Sequence, residues 1–245
     1  MLGLRRGRYV AREASSSADV QACQRLRFAA FRGGAEGLDA DDFDAICTHV
    51  MVEDTRAGDL VACYRLLPLS DGSEIARSYS AQFYELSALE AFAGKMVEMG
   101  RFCIAPGLTD ADILRVAWAA MTRYVDENAV EMLFGCSSFQ GTEADGYEDA
   151  FAFLKDRHLA PNRWLPRVKA PFVFPFSARL GLRKPDLKRA MQTLPPLLRT
   201  YLVMGGWVSD HAVVDRDLNT LHVFTGLEIG AIPPARARLL RATAG

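Results

Sequence analysis

The chain has 245 residues, half of them hydrophobic, which is enough for one large domain, or a domain with an appendage, around a sizeable core. Its formal net charge of −1 gives no general attraction to nucleic acid, and no run approaches the roughly 20 apolar residues of a membrane-spanning helix. Five cysteines, an odd number with wide spacings and no C-x-x-C, argue against a disulfide framework or zinc site and for buried thiols in a reducing compartment. The arginine-rich N-terminus lacks the apolar stretch of a signal peptide, so a cytoplasmic location is expected.

In chain order, residues 8–14 read as a short first strand. Ser17 is placed to cap a helix running to about Arg32, with Val20, Cys23, Ala30 and Phe31 at helical spacing. Arg27 lies four residues from both Cys23 and Phe31 and shares their apolar stripe. A guanidinium there needs a carboxylate, and the acidic loop with Asp39, Asp41, Asp42 and Asp44 is placed to supply one. Strands at 49–53 and 60–67 read as a hairpin with a loop longer than a tight turn. In the second of them Arg65 alternates onto the face of Val61, Cys63 and Leu67. A helical patch is expected at about 86–93.

The next strand, 96–104, carries the sharpest signal. Glu98 and Arg101 interrupt an otherwise apolar run, and buried charges are costly unless paired. Alternation puts the two on opposite faces. Gly100 between them is where a bulge is expected, which would bring both toward one side and free a backbone N–H to polarise a carbonyl.

Thr109 is placed to cap a helix from Asp110 to about Glu127, followed by a strand at 130–138 and a helix at about 147–158. A β-rich piece at 168–176 comes next, then a helical segment near 197–205, a strand at 221–228 and a basic helical tail at 234–242. Helices between strands of a mixed sheet imply an α/β or α+β fold. An α/β fold is expected, with a core domain at 1–180 and a C-terminal extension at 181–245. From Lys155 to Arg189 there are ten Lys/Arg against Asp156 and Asp186. That stretch is either a solvated face or a surface for an acidic partner or an anionic membrane. The tail residues Arg236, Arg238 and Arg241, with Leu239 and Leu240, offer a second place for peripheral membrane contact.

Arg27, the Asp39/Asp41/Asp44 loop, Arg65 and the Glu98/Arg101 pair aim charges inward from four segments. This suggests a cluster built around a site; a structural salt-bridge network is the alternative and need not exclude function. His49, His158, His211 and His222 show no metal spacing, so no metal site is expected. Cys103 and Cys136 have no histidine nearby in sequence, and Ser137 and Ser138 lack a Gly-x-Ser-x-Gly elbow. For the two serines, lining an acyl pocket and simple strand packing are both open.

Arg27-x-x-x-Phe31, the Asp39-x-Asp41-x-x-Asp44 loop, Arg65-Leu66-Leu67-Pro68 and Glu98-x-x-Arg101 resemble the signature of acyl-homoserine lactone synthases, over about residues 25–105. A wider resemblance covers nearly the whole chain. It rests on Val97 through Ile104, Gly135 through Thr142, Leu159-Ala160-Pro161, and the block from Leu194 to Leu202 and on through Ala212-Val213-Val214-Asp215. Together these resemble the bacterial L-ornithine Nα-acyltransferases of ornithine-lipid synthesis. The resemblance implies a fold of the GCN5-related N-acyltransferase type, a strongly twisted mixed sheet flanked by helices.

It also implies transfer of a 3-hydroxyacyl chain from acyl carrier protein to the α-amine of ornithine. No cofactor of its own is then expected, because phosphopantetheine arrives on the carrier. Lactone synthases carry a tryptophan shortly after the Phe31 position, and residues 31–42 contain none. The Gln/Arg-x-x-Gly-x-Gly/Ala loop for free CoA is missing between Ala105 and Arg115, which favours a carrier-borne thioester. A lactone synthase, an N-acyltransferase for another amino acid and a non-catalytic acyl-carrier-binding protein are the alternatives.

An amine attacking a thioester needs a base, and Glu98 is the candidate, directly or through water. A backbone N–H near Gly100–Phe102 would meet the oxyanion, and Arg101 would position the cluster. Arg27, Phe31, Asp41, Asp44, Arg65, Ser137 and Ser138 are the expected substrate-binding set. Lys155, Arg157, Arg163, Arg167 and Lys169 are the expected docking surface for the acidic carrier.

Overall fold

A computed structural model describes residues 3–34 and 36–244. In chain order the elements are β1 (Gly3–Arg6), β2 (Tyr9–Glu13), α1 (Ser17–Arg32), β3 (Thr48–Asp54), β4 (Asp59–Leu69), β5 (Tyr84–Glu85), β6 (Met96–Ile104), α2 (Ala111–Asn128), β7 (Met132–Gln140), α3 (Glu148–Arg157), β8 (Arg167–Val168), β9 (Val173–Phe174), α4 (Phe176–Arg179), α5 (Leu187–Thr193), α6 (Pro196–Val203), β10 (Trp207–Val208), β11 (Ala212–Asp215), β12 (Thr220–Glu228) and α7 (Pro234–Ala244). Short 3-10 turns at Asp42–Ala45, Gly72–Arg77, Ser80–Gln82, Ser87–Ala91, Asn162–Trp164 and Ile229–Ala231 punctuate them. This is a mixed α/β fold. The chain forms two compact units, one of residues 1–68, 99–130 and 234–245 and the other of 69–98 and 131–233.

In the first unit, β1, β2, β3 and β4 form successive antiparallel pairs, and β4 neighbours β6. The arginine-rich N-terminus thus makes a hairpin rather than a tail: Leu4 is buried while Arg5 and Arg6 face solvent, and each backbone finds a partner on β2. Helix α1 is capped by Ser16, whose hydroxyl accepts from the N–H of Asp19, not by Ser17. Helix α2 is capped by Asp110, not by Thr109. The Asp110 carboxylate accepts from the Asp112 N–H and from the Tyr9 hydroxyl at 2.8 Å, so it joins the helix start to β2. Cys23, Met51, Cys63 and Cys103 form a buried cluster between α1 and the sheet, and Phe31 packs against it.

In the second unit, β6 enters parallel to β7, pairing Met96 with Met132, Val97 with Leu133 and Glu98 with Phe134. β7 is antiparallel to β12 along nine pairs of residues, β12 to β11 and β10, and β11 to β9. The apolar faces of α3, α5 and α6 cover β12, with Phe151, Phe176, Leu198 and Val223 in the core. The patch at 86–93 is a 3-10 turn rather than an α-helix. The piece at 168–176 divides, Val168 pairing with Tyr84 and Val173 with Val213, because Pro171 and Pro175 stop either strand from extending.

Candidate active site

Three arginines and three aspartates of the first unit form a buried network of balanced charge. Arg27 is 1% exposed on α1 and grips Asp44 with both terminal nitrogens, at 2.9 and 2.8 Å. Its Nε meets Asp39 at 3.1 Å, and an Nη donates to the Asp39 carbonyl. Arg65 on β4 makes a second two-pronged grip on Asp41 and donates to Asp44 at 2.8 Å. Arg101 on β6 reaches Asp39 at 3.1 Å and Asp41 at 3.3 Å. Paired geometry of this kind is what a planar guanidinium recognises best.

The acidic loop takes its shape from the same charges. Asp41 caps the turn at Asp42–Ala45 through the Phe43 N–H, and Asp44 reaches back to the Asp41 N–H as a capping box. Gln24 adds a hydrogen bond to Asp44 at 2.9 Å. Burial alone would raise the Asp44 carboxyl, but the bonds from Arg27, Gln24 and Arg65 outweigh it and hold the group well below the usual carboxylate range. Asp41 is lowered for the same opposed reasons, with Arg65 as its main partner. The network brings together Arg27, Asp41, Asp44, Arg65 and Arg101 of the expected set. Asp41 is its most exposed carboxylate, at 26%.

Strand β6 is irregular at this place. Arg101 adopts φ 54°, a left-handed conformation that costs a non-glycine residue roughly 1–2 kcal/mol. The kink expected at Gly100 therefore falls one residue later. A Cβ at Gly100 would lie in ordinary contact with the Arg65 side chain, 3.8 Å from Nε. Phe102 is half-buried against the Tyr64 ring.

In the second unit Glu98 is 4% exposed. Its Oε2 accepts from the Tyr79 N–H at 2.7 Å, and its Oε1 accepts from the Ser80 N–H at 2.7 Å and the Ser80 hydroxyl at 2.6 Å. The carboxylate thus fastens the turn at Ser80–Gln82. The Ser80 hydroxyl also lies 3.4 Å from the Cys136 thiol on β7. Tyr201 on α6 is buried, and its hydroxyl is pushed well above its ordinary pKa, first by burial and then by the charge of Glu98. Tyr79, Ser80 and Tyr201 lie outside the expected set; a buried glutamate's need for donors is the signal that points to Tyr79 and Ser80. Ser137 is buried and its hydroxyl accepts from Thr225 at 2.9 Å, whereas Ser138 is exposed.

An acetyltransferase (GNAT) domain family matches residues 25–119, the span of the ion network and the β6 kink. The chain is 33% identical over 239 residues to an L-ornithine N(alpha)-acyltransferase of Rhodobacter capsulatus, covering 91% of each chain. The chain belongs to the L-ornithine N(alpha)-acyltransferase family. A member from Brucella abortus is 30% identical, with 90% of this chain and 84% of that protein covered. The fold is also that of FeeM, an N-acyl amino acid synthase from uncultured soil microbes, at TM-score 0.52 and 11% identity over 91% and 93% of the two chains. As a member of this acyltransferase family the chain is an enzyme that transfers an acyl group to an amine.

The expected docking residues divide by their surroundings. Lys155 is only 11% exposed, its ammonium spent on Asp156 and on the carbonyls of Gly181 and Arg183. Arg163 and Arg167 extend into solvent at 66% and 79%, beside Glu228 and Glu85. Arg157 is exposed over the Phe153 ring. Lys169 donates to the Ala81 carbonyl at 2.6 Å, on the outer side of the turn that Glu98 fastens from within. Among the described residues, no group of three or more His, Cys, Asp or Glu side chains is arranged to hold a metal ion.

Proposed function

We propose that the enzyme moves a 3-hydroxyacyl chain from acyl carrier protein to the α-amine of L-ornithine, giving a lyso-ornithine lipid. The likeness to the Rhodobacter capsulatus relative over 91% of both chains supports the ornithine acceptor, and the missing free-CoA loop between Ala105 and Arg115 supports a carrier-borne donor. The amine nitrogen forms an amide bond to the thioester carbonyl carbon, the carbon–sulfur bond breaks, and the pantetheine thiolate leaves and takes a proton. Phosphopantetheine arrives on the carrier, and no separate cofactor enters the step.

In this proposal Glu98 takes the proton that the ammonium must lose, directly or through a water, a contribution of about 10²–10⁴-fold. Its support is a buried carboxylate whose orientation is set by Tyr79 and Ser80. A backbone N–H near Gly100–Phe102 meets the oxyanion; the left-handed Arg101 turns the local amides out of regular strand alternation. Arg101 and Arg65 orient the acceptor's carboxylate, and Asp41 reads its side-chain cation. Arg27 and Asp44 hold those groups in place. Phe31, Ser137 and Ser138 complete the binding set. Arg157, Arg163, Arg167 and Lys169 steer the acidic carrier, with Lys155 shaping the surface behind them.

The test is mass spectrometry of products formed from 3-hydroxyacyl carrier protein and a panel of amino acids. N-acyl-ornithine is the expected product. Acylation of other amino acids but not ornithine reassigns the acceptor, a lactone product indicates a synthase, and turnover with acyl-CoA but not the carrier removes the carrier from the reaction.

A further inference from the structure

Three apolar side chains stand in solvent among cations on one stretch of the second unit. Leu182 is 101% exposed, Leu187 46% and Met191 37%. Leu187 and Met191 are four residues apart on α5 and share a face, while Ala190 is buried in the core. Arg179, Arg183, Lys184, Lys188 and Arg189 flank them in sequence with one acid, Asp186, whose carboxylate caps α5; from α3, Glu148 and Asp149 pair with Arg183, and Asp149 with Arg189. Among the described residues Arg179, Lys184 and Lys188 have no carboxylate partner.

The loop that carries Leu182 is held from beneath. Lys155 donates to the carbonyls of Gly181 and Arg183, the residues on either side of Leu182, at 3.0 and 3.3 Å. Asp149 accepts from the Asp186 N–H and from Arg183, both at 3.2 Å. Asp149 and Lys155 are side chains of α3, each only 11% exposed. A fully exposed leucine on a held loop, flanked in sequence by Arg179, Lys184 and Lys188, suits a surface that offers anions outside and hydrocarbon just below. An anionic bilayer has that layering over its whole face, so Leu182 needs no matched apolar pocket on a partner.

We propose that residues 179–191 are a membrane-docking patch that seats Leu182, Leu187 and Met191 at the headgroup–acyl boundary of an anionic bilayer. The patch rests on its own exposure and charge and not on which amine is acylated. Its test is therefore a binding measurement that stands apart from turnover.

The full chain is sedimented with vesicles of equal parts phosphatidylcholine and phosphatidylglycerol, and with phosphatidylcholine alone. Binding to the mixed vesicles only is expected. The double variant Lys184→Glu/Lys188→Glu is expected to partition at least roughly thirtyfold more weakly, from about fivefold for each basic residue lost, with the repulsion of the two new carboxylates added to that. Leu182→Asp is expected to weaken binding about tenfold. In Leu182→Trp, emission from the new indole is expected to shift blue when mixed vesicles are added. Arg236→Glu/Arg238→Glu, on α7, is expected to sediment as the unaltered chain does. Equal binding to neutral vesicles, unaltered sedimentation of the Leu182→Asp and Lys184→Glu/Lys188→Glu variants, or an indole emission that stays unshifted in Leu182→Trp overturns the proposal. So does loss of acyl carrier protein binding in these variants with vesicle binding intact, which would assign the patch to the carrier.

Discussion

Glu98 combines two roles that a single substitution separates. Glu98→Gln keeps one oxygen for Ser80 but turns an NH2 group toward the Tyr79 N–H, so the turn loses an acceptor. If the carboxylate is the base, turnover at saturating substrates falls about 10²–10⁴-fold in protein that remains folded. A purely structural glutamate would instead lower the melting temperature and leave turnover per folded molecule unchanged. In the first unit Asp44 is the common partner of Arg27, Arg65 and Gln24. Asp44→Asn leaves two buried guanidiniums short of charge, and urea unfolding is expected to show a loss of about 3–5 kcal/mol. The sequence showed that Arg27 and Arg65 needed carboxylates and where those lay in the chain. Which aspartate met which arginine depended on the capping box that folds the loop.

At the scale of elements, the long strands and helices were legible because their periodicity repeats over many residues. The short ones were not, since two-residue strands such as β8 and β10 exist only where a partner backbone happens to lie. β10 shows what such a strand is for. It brings Trp207 over Gly226 of β12, where a Cβ would approach the indole to 2.4 Å. Gly226→Ala therefore forces the ring off the sheet, and thermal unfolding is expected to show a cost of about 1–3 kcal/mol. The caps at Ser16 and Asp110 lay within one residue of the expected positions. At Asp110 the choice fell to the side chain that also had a second partner, the Tyr9 hydroxyl, and at Ser16 to the extended residue whose hydroxyl reaches the Asp19 N–H.

Over the whole molecule, two kinds of buried group set the response to acid. His222 is buried beside Tyr84 and held neutral, its pKa brought down to about 3 by burial and then by His211. The unfolded chain takes up that proton near pH 6.5, so the stability His222 contributes is complete above that pH. It is lost progressively as the pH falls toward 3, at up to about 1.4 kcal/mol per pH unit. Asp41 and Asp44, whose folded pKa values are also lowered, add their loss only below about pH 4, where the unfolded carboxylates protonate. His222→Phe is expected to make the fall of denaturation midpoints between pH 6.5 and about 4 shallower, leaving the part due to His49 and His158, whose pKa values burial also lowers, and the fall from the aspartates below that. At the surface, Arg163→Glu/Arg167→Glu is expected to raise the KM for a carrier-borne donor several-fold, more at low salt, with kcat unchanged. An unchanged KM removes those two residues from carrier docking.

The sequence by itself determined the class of fold, the family, and the fact that charges from four segments had to be neutralised inside the protein. Burial of an unpaired ion is costly enough that the requirement is visible before any partner is known. Tertiary structure alone decided that Glu98 is held by Tyr79 and Ser80, that the kink of β6 falls on Arg101, and that Lys155 is used inside while Leu182 is held out. Those outcomes depend on hydrogen-bond donors and backbone angles brought together from distant parts of the chain, and no local pattern of residue types encodes them.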